Sequence, residues 1–242
     1  MNKDNNKISI KKCCGLKQID DIEYILNHNH ILKYTHLGII LVPNKGRSFP
    51  LSNSNQFREL INKHEQDINV VGVVQKQTFE DIDNILQSHP ALPVTHIQVH
   101  DSNPEWFNMI LQIHQKYPDM QFIKRFVYPK DCETIKSIIQ TDTYTGQLSD
   151  LNKKLSILFD SESGGNGEVQ DWSGINEFLE SCDNLNNFNI IIAGGLNPSN
   201  VFQCISTIKG INGVDVSGGL EGDVVGKKDI TKLHEFAKST EL

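Results

Sequence analysis

The sequence predicts an α/β protein built as a single closed (β/α)8 barrel of the TIM class. Three observations carry that expectation. Eight short runs rich in β-branched and apolar residues recur along the chain, with starts roughly 30 residues apart, the size of one strand–helix unit. Each run is followed by a stretch whose apolar residues fall at three- and four-residue spacing, the period of a helix with one buried face. The 242 residues also match the length such barrels take as one domain. An open, doubly wound sheet competes with this reading, but it rarely uses eight regular units, and no GxGxxG follows the first run.

The elements follow in order. ISIKKCC (8–14) is the first strand, and IDDIEYILNH after it spaces its isoleucines as a helix does. THLGIILV (35–42) precedes the helical SNQFRELINKH, and NVVGVV (69–74) precedes TFEDIDNILQSH. VTHIQVH (94–100) leads to PEWFNMILQIHQKY, and QFIKRFVY (121–128) leads to ETIKSIIQ. LSILFD (155–160) is followed by WSGINEFLESC, NIIIAGG (189–195) by PSNVFQCISTIK, and GVDVSGG (213–219) by ITKLHEFAK. The polar stretch 140–154 reads as a surface loop. Residues 1–7 read as a disordered tail, and 8–242 as one barrel domain.

Composition narrows the function. Hydrophobic residues make up 38% and charged residues 22%, enough apolar matter for a sizeable core. Basic minus acidic residues give 23 − 30 = −7, without a basic patch, which argues against nucleic acid as a partner. An anionic small molecule remains compatible, because backbone amides bind phosphate without net positive charge. No run approaches the ~20 apolar residues of a membrane helix, and the N-terminus lacks a signal-peptide core. The expected address is the cytosol, with no membrane partner and a monomer as the working expectation. Five cysteines at irregular spacing suggest reduced thiols rather than disulfides or zinc.

In such a barrel the chemistry sits where the strands end. The first strand closes on Lys12-Cys13-Cys14-Gly15, and strand alternation puts Lys12 and Cys14 on one face. A cation beside Cys14 would lower the pKa of its thiol from ~8.5; two cysteines packed as small apolar groups are the competing reading. The sixth strand closes on Asp160, a general acid candidate or a turn cap, before a glycine-rich run. Gly194 and Gly195 follow the seventh strand, and Ser217 and Gly218 the eighth, the two positions where these barrels often hold phosphate. Arg47 offers a planar fork for a carboxylate from the loop after the second strand. Gln98 and His100 share a face of the fourth strand with His96, but nothing in the sequence positions a third ligand for a metal. His28, His30 and His36 read as surface residues.

Taken in order, these strand ends resemble the phosphoribosylanthranilate isomerases of tryptophan biosynthesis, in their fungal form. The resemblance runs from Lys11 to Ala237 and includes KCCGL (12–16), GR (46–47), QVH (98–100) and IKRFVYPKDC (123–132). It continues through FDSESGGNGEVQDW (159–172), AGGLNPSNV (193–201) and GVDVSGGLE (213–221). It implies Cys14 as general base, Asp160 as general acid, and Arg47 as the holder of the anthranilate carboxylate. It further implies that the amides of Gly194, Gly195, Ser217 and Gly218 hold the phosphate. Asp215 is similar to a supporting acid of that pocket; an ion pair with Lys12 is the alternative. The implied reaction is an Amadori rearrangement of N-(5-phosphoribosyl)anthranilate without metal or cofactor, with the Asp160 pKa raised and the Cys14 pKa lowered. Three departures stand out: Asp101 where a glycine usually follows QLH, Gly218 where a second serine is common, and Gln75-Lys76-Gln77 where an Asn-Gln pair is usual. Two other readings are a Schiff-base aldolase using Lys124 and a non-catalytic barrel that binds a phosphorylated metabolite.

Overall fold

A computed structural model describes residues 8–64, 67–140, 151, 154–162, 169–183 and 188–241. The eight apolar runs form β1 (Ile10–Cys13), β2 (His36–Ile40), β3 (Asn69–Val74), β4 (His96–Val99), β5 (Gln121–Phe126), β6 (Leu155–Phe159), β7 (Asn189–Ile192) and β8 (Gly213–Val216). Each strand pairs in parallel with the next, and β8 pairs with β1, so the sheet closes in sequence order. Between them lie α1 (Ile19–Leu32), α2 (Ser54–Lys63), α3 (Phe79–Ser88), α4 (Trp106–Lys116), α5 (Cys132–Gln140), α6 (Trp172–Glu180), α7 (Val201–Thr207) and α8 (Ile230–Ser239). This is the (β/α)8 barrel expected from the sequence. The proposed tail at 1–7, nearly all of the loop at 140–154, and the glycine run after Asp160 fall outside the described residues.

Alternation along the strands builds two apolar bodies. Cys13, Leu37, Val70, Ile97, Phe122, Ile157, Ile190 and Val214 belong to the larger cluster, which packs strands against helices. Ile10, Cys14, Val71, Val73, Ile123, Leu158, Ile191 and Ala193 form a second cluster inside the barrel. Because side chains alternate with period two, the adjacent cysteines separate: Cys13 faces the helices and Cys14 the barrel axis. Among the described residues, three helix starts carry side-chain caps. Thr78 and Asp81 form a reciprocal capping box on α3, and Asp171 and Asp229 accept from Gly174 and Lys232 on α6 and α8.

The interior also buries polar groups. His36, expected at the surface, is buried because it begins β2 and shares its inward face with Gly38 and Ile40. Its ring meets that of His96 at 5.1 Å between centroids, and the Oγ1 atoms of Thr35 and Thr95 each lie 2.8 Å from the neighbouring Nδ1. Burial, followed by the neighbouring charges, pushes His36 down to about 3 and His96 to about 4. Both are therefore neutral at physiological pH.

The pH dependence of stability has a definite sign. An unfolded histidine binds its proton near pH ~6.5, whereas these two refuse it until much lower pH. Stability therefore falls as pH falls through that window, by up to ~1.4 kcal/mol per pH unit for each group. In urea unfolding at about pH 6.5 and 4.5, His36→Gln/His96→Gln should lose less stability on acidification than the wild type. Equal losses would contradict the assignment.

Candidate active site

At the C-terminal rim, the ladder stops one residue short of the side chains that matter. Cys14, His100 and Asp160 each lie just past β1, β4 and β6, held by one last backbone bond. Their amides donate to the carbonyls of Val216 (2.8 Å), Val74 (2.9 Å) and Phe126 (3.1 Å). Cys14, Asp160, Arg47, Gln98, His100, Asp215, Ser217, Gly194, Gly195 and Gly218 all line one cavity of about 760 Å³ at this rim. On β2, Gly38 makes room for the thiol: a Cβ there would lie 2.7 Å from Cys14 Sγ.

A polar chain crosses the cavity floor. Lys12 and Asp215 are lateral neighbours in the β1–β8 register, and Lys12 Nζ donates to Asp215 Oδ2 at 2.7 Å. It also donates to Gln98 Oε1 at 2.8 Å. An ammonium can only donate, so the Gln98 amide is fixed with its oxygen toward Lys12. Gln98 Nε2 is then the donor facing His100 Nδ1 at 3.2 Å. Neutral His100 must carry its proton on Nε2, which faces Asp160 Oδ2 at 3.7 Å, too far for a hydrogen bond. Burial, then Arg125 and Lys12, hold His100 down at about 4.

Burial raises Asp160 to about 6; the Ser161 amide at 2.7 Å opposes this and Asp215 adds to it. The carboxyl is thus poised near neutrality, as the resemblance requires of an acid. Cys14 departs from expectation. Its thiol lies above its ordinary value, because burial outweighs the attraction of Lys12. For Lys12 itself, burial disfavours the charge, yet Asp215 and Cys14 win and bring it to about 12.

Arg47 is neither lone nor freely solvated. Its Nε and Nη2 donate to Glu221 Oε1 and Oε2 at 2.6 and 2.8 Å, leaving the Nη1 end of the fork for a ligand. Lys228 Nζ lies 3.6 Å from Glu221 Oε1 and donates to the carbonyls of Cys14 and Ser217, tying this corner together. Gly194, Gly195, Ser217 and Gly218 line the wall above β7 and β8. Asp215 keeps its ion pair with Lys12, and its Oδ1 is buried without a partner among the described residues.

Sequence reasoning missed Glu221, Lys228 and Arg125. The signal for Arg125 was present, since Ile123 faces the axis and the residue two further on must do so too. Lys124, the candidate Schiff-base nucleophile, points the other way. Its Nζ donates to the carbonyl oxygens of Asp101 and Arg125 and sits over the rings of Phe126 and Trp106, outside the cavity. Among the described residues no cluster of three or more His, Cys, Asp or Glu could hold a metal ion.

Comparison with known proteins decides the family. The family model for N-(5'-phosphoribosyl)anthranilate (PRA) isomerase matches residues 11–239. The chain belongs to that family. It is 30% identical to the N-(5'-phosphoribosyl)anthranilate isomerase of Saccharomyces cerevisiae over 232 residues, covering 94% of this chain and 92% of the relative. The Saccharomyces kudriavzevii enzyme of the same name is 30% identical over 234 residues, covering 95% and 92%. Among solved structures, a phosphoribosyl anthranilate isomerase in complex with reduced 1-(o-carboxyphenylamino)-1-deoxyribulose 5-phosphate superposes with a TM-score of 0.70. That structure is 21% identical and covers 96% of this chain and 98% of its own.

Within this isomerase-family barrel the departures have local reasons. Asp101 accepts from the Lys76 amide and, at 3.1 Å, from the Asn103 amide, so it stitches the turns after β3 and β4 outside the cavity. A Cβ on Gly218 would lie 3.1 Å from Arg47 Nη2, so the glycine gives the guanidinium room. Gly219 is more constrained: a Cβ there would fall 1.9 Å from the Leu196 carbonyl oxygen. Gly219→Ala should therefore force the β7 and β8 turns apart and lower the thermal midpoint by several degrees. Gly218→Ala meets only the end of a flexible side chain and should leave it nearly unchanged. Similar melting of the two variants would refute this reading of the turns.

Proposed function

We propose that this chain catalyses the Amadori rearrangement of N-(5-phosphoribosyl)anthranilate to 1-(2-carboxyphenylamino)-1-deoxy-D-ribulose 5-phosphate, a step of tryptophan biosynthesis. The observation that carries this reading is the pairing of a thiol at the end of β1 and a poised carboxyl at the end of β6 in one cavity, with two glycine-rich turns between them. The phosphate rests against the turns after β7 and β8. Arg47, aimed by Glu221, meets the carboxylate, and Asp215 Oδ1 accepts a hydrogen bond from the substrate.

Asp160 gives its proton to the ribose ring oxygen, and the ring opens to a Schiff base. That cation acidifies the hydrogen on C2, which the Cys14 thiolate removes. The resulting enolamine tautomerises to the ketone. The substrate carries its own electron sink, so this chemistry needs no metal and no cofactor. No described helix is long and apolar enough to cross a membrane, and the cytosol is the compartment this reading implies. The outward course of Lys124 speaks against the aldolase reading. The poised Asp160 speaks against a barrel that only binds. Loss of anthranilate-type fluorescence when the purified protein meets freshly made phosphoribosylanthranilate is the direct test; unchanged fluorescence would refute the activity.

Two further outcomes probe the roles. Cys14→Ser should lower kcat by about 10²–10⁴-fold. Cys13→Ser, on the helix-facing side, should stay within a few fold of the wild type. Equal losses in two folded variants would remove Cys14 as base.

The second outcome is a pH profile. The active form has Asp160 protonated and Cys14 ionised, although the carboxyl titrates at the lower pH of the two. Below about 6 the thiolate fraction grows with pH while Asp160 stays protonated. Above it, gain of thiolate and loss of acid cancel. kcat/KM should therefore rise with pH to a midpoint near 6 and stay level until the thiol titrates. In Asp160→Asn the residual activity should lack that break. A falling limb at this pH in the wild type would refute the assignment.

A further inference from the structure

Arg125 is held but not satisfied. It is 6% exposed, and its Nε and Nη2 donate to the His100 carbonyl at 3.1 and 3.0 Å. Its Nη1 is buried and has no hydrogen-bond partner among the described residues, although the side chain lines the active-site cavity. Among the described residues no carboxylate pairs with it. A buried guanidinium without a counter-ion, and with an orphan donor, is costly unless a bound anion completes it. The other cations of the cavity floor and corner are matched: Lys12 by Asp215, Arg47 by Glu221.

The position of Arg125 around the rim selects the anion. The glycine turns after β7 and β8 are the phosphate side, and Arg47 leans toward them, against the spaces of Gly15 and Gly218. Ile40, Val42 and Val73, on and just after β2 and β3, give the cavity an apolar wall of the kind an aromatic ring packs against. Arg125 stands on β5, bonded to the His100 carbonyl just past β4, away from the glycine turns, so it faces a different part of a bound ligand than the phosphate. We infer that Arg125 is a specificity-determining residue that binds the aromatic carboxylate of the substrate from the β5 side through Nη1. Arg47 approaches the same carboxylate from the β2 side. The assignment rests on the isomerase reading above and adds a second arginine to it.

The test compares N-(5-phosphoribosyl)anthranilate with N-(5-phosphoribosyl)aniline, which keeps sugar and phosphate but lacks the carboxylate. Wild type, Arg125→Gln and Arg125→Lys are assayed on both, with inhibition by inorganic phosphate and thermal midpoints measured alongside. Arg125→Gln should raise KM for the carboxylated substrate about tenfold or more, the scale of a lost charge-assisted hydrogen bond. KM for the aniline compound and the phosphate inhibition should stay within about twofold, and Arg125→Lys should recover part of the loss. Equal losses on both substrates, or weakened phosphate inhibition, would overturn the assignment in favour of a sugar, phosphate or packing role. No loss on either would overturn it outright. If Arg125→Gln does not fold, Arg125→Lys is read alone, and a loss specific to the carboxylated substrate still decides. Wild-type protein inactive on both compounds would instead refute the isomerase reading, a distinct outcome.

Discussion

A single ammonium sits at the centre of this barrel, and the arrangement around it follows from having to keep it charged. Lys12 is fully buried, an environment that would strip its proton without compensation. Register places Asp215 beside it, and the two close at 2.7 Å. Such a pair adds little net stability compared with apolar packing, but removing one partner strands a buried charge. Its value here is directional. Because Lys12 can only donate, Gln98 has one orientation, His100 one tautomer, and Asp160 meets an N–H rather than a lone pair. One charge on β1 thus sets hydrogen positions along β4 that face the acid at the end of β6.

The same charge moderates two titratable groups of one cavity that burial pushes up. Asp160 is raised mainly by burial, and Lys12 and Arg125 limit how far. Cys14 is raised by burial too, and Lys12 again works against the shift. The protein thereby holds a reluctant acid and a reluctant thiolate close to use without ionising both in advance. Proton transfer efficiency favours groups whose pKa lies near working pH, which suits the carboxyl better than the thiol.

The fold was legible in the sequence because period-two and period-3.6 patterns are properties of individual elements, and each strand–helix unit repeats them. The separation of Cys13 from Cys14 followed from alternation alone. What stayed hidden depends on distant partners. Nothing near Arg47 announces Glu221, which lies 174 residues away. His36 read as a surface residue because a histidine beside a threonine is unremarkable until His96 meets it edge-on inside the barrel. The Cys14 shift went the wrong way because a neighbouring cation is visible in sequence, whereas the depth of burial that outweighs it is not. Arg125 was legible by parity alone, which sends it to the face opposite Lys124, but its lack of an ion pair among the described residues shows only once the strands are assembled.

The uncompensated guanidinium of Arg125 also shapes how an anion reaches the cavity. The chain as a whole carries a net charge of −7, so a multiply charged anion in solution meets a repulsive field at long range. Within the barrel mouth Asp160, Glu162 and Asp215 stand among Lys45, Arg47 and Arg125, and the Nη1 of Arg125 offers a donor that no described group engages. Mobile ions screen the outer repulsion over a Debye length of ~8 Å at physiological ionic strength, while a buried contact is screened far less. Added salt therefore eases the approach of the anion without loosening its final grip to the same degree. Encounter and residence answer to ionic strength in different ways, and an acidic protein can serve an acidic substrate.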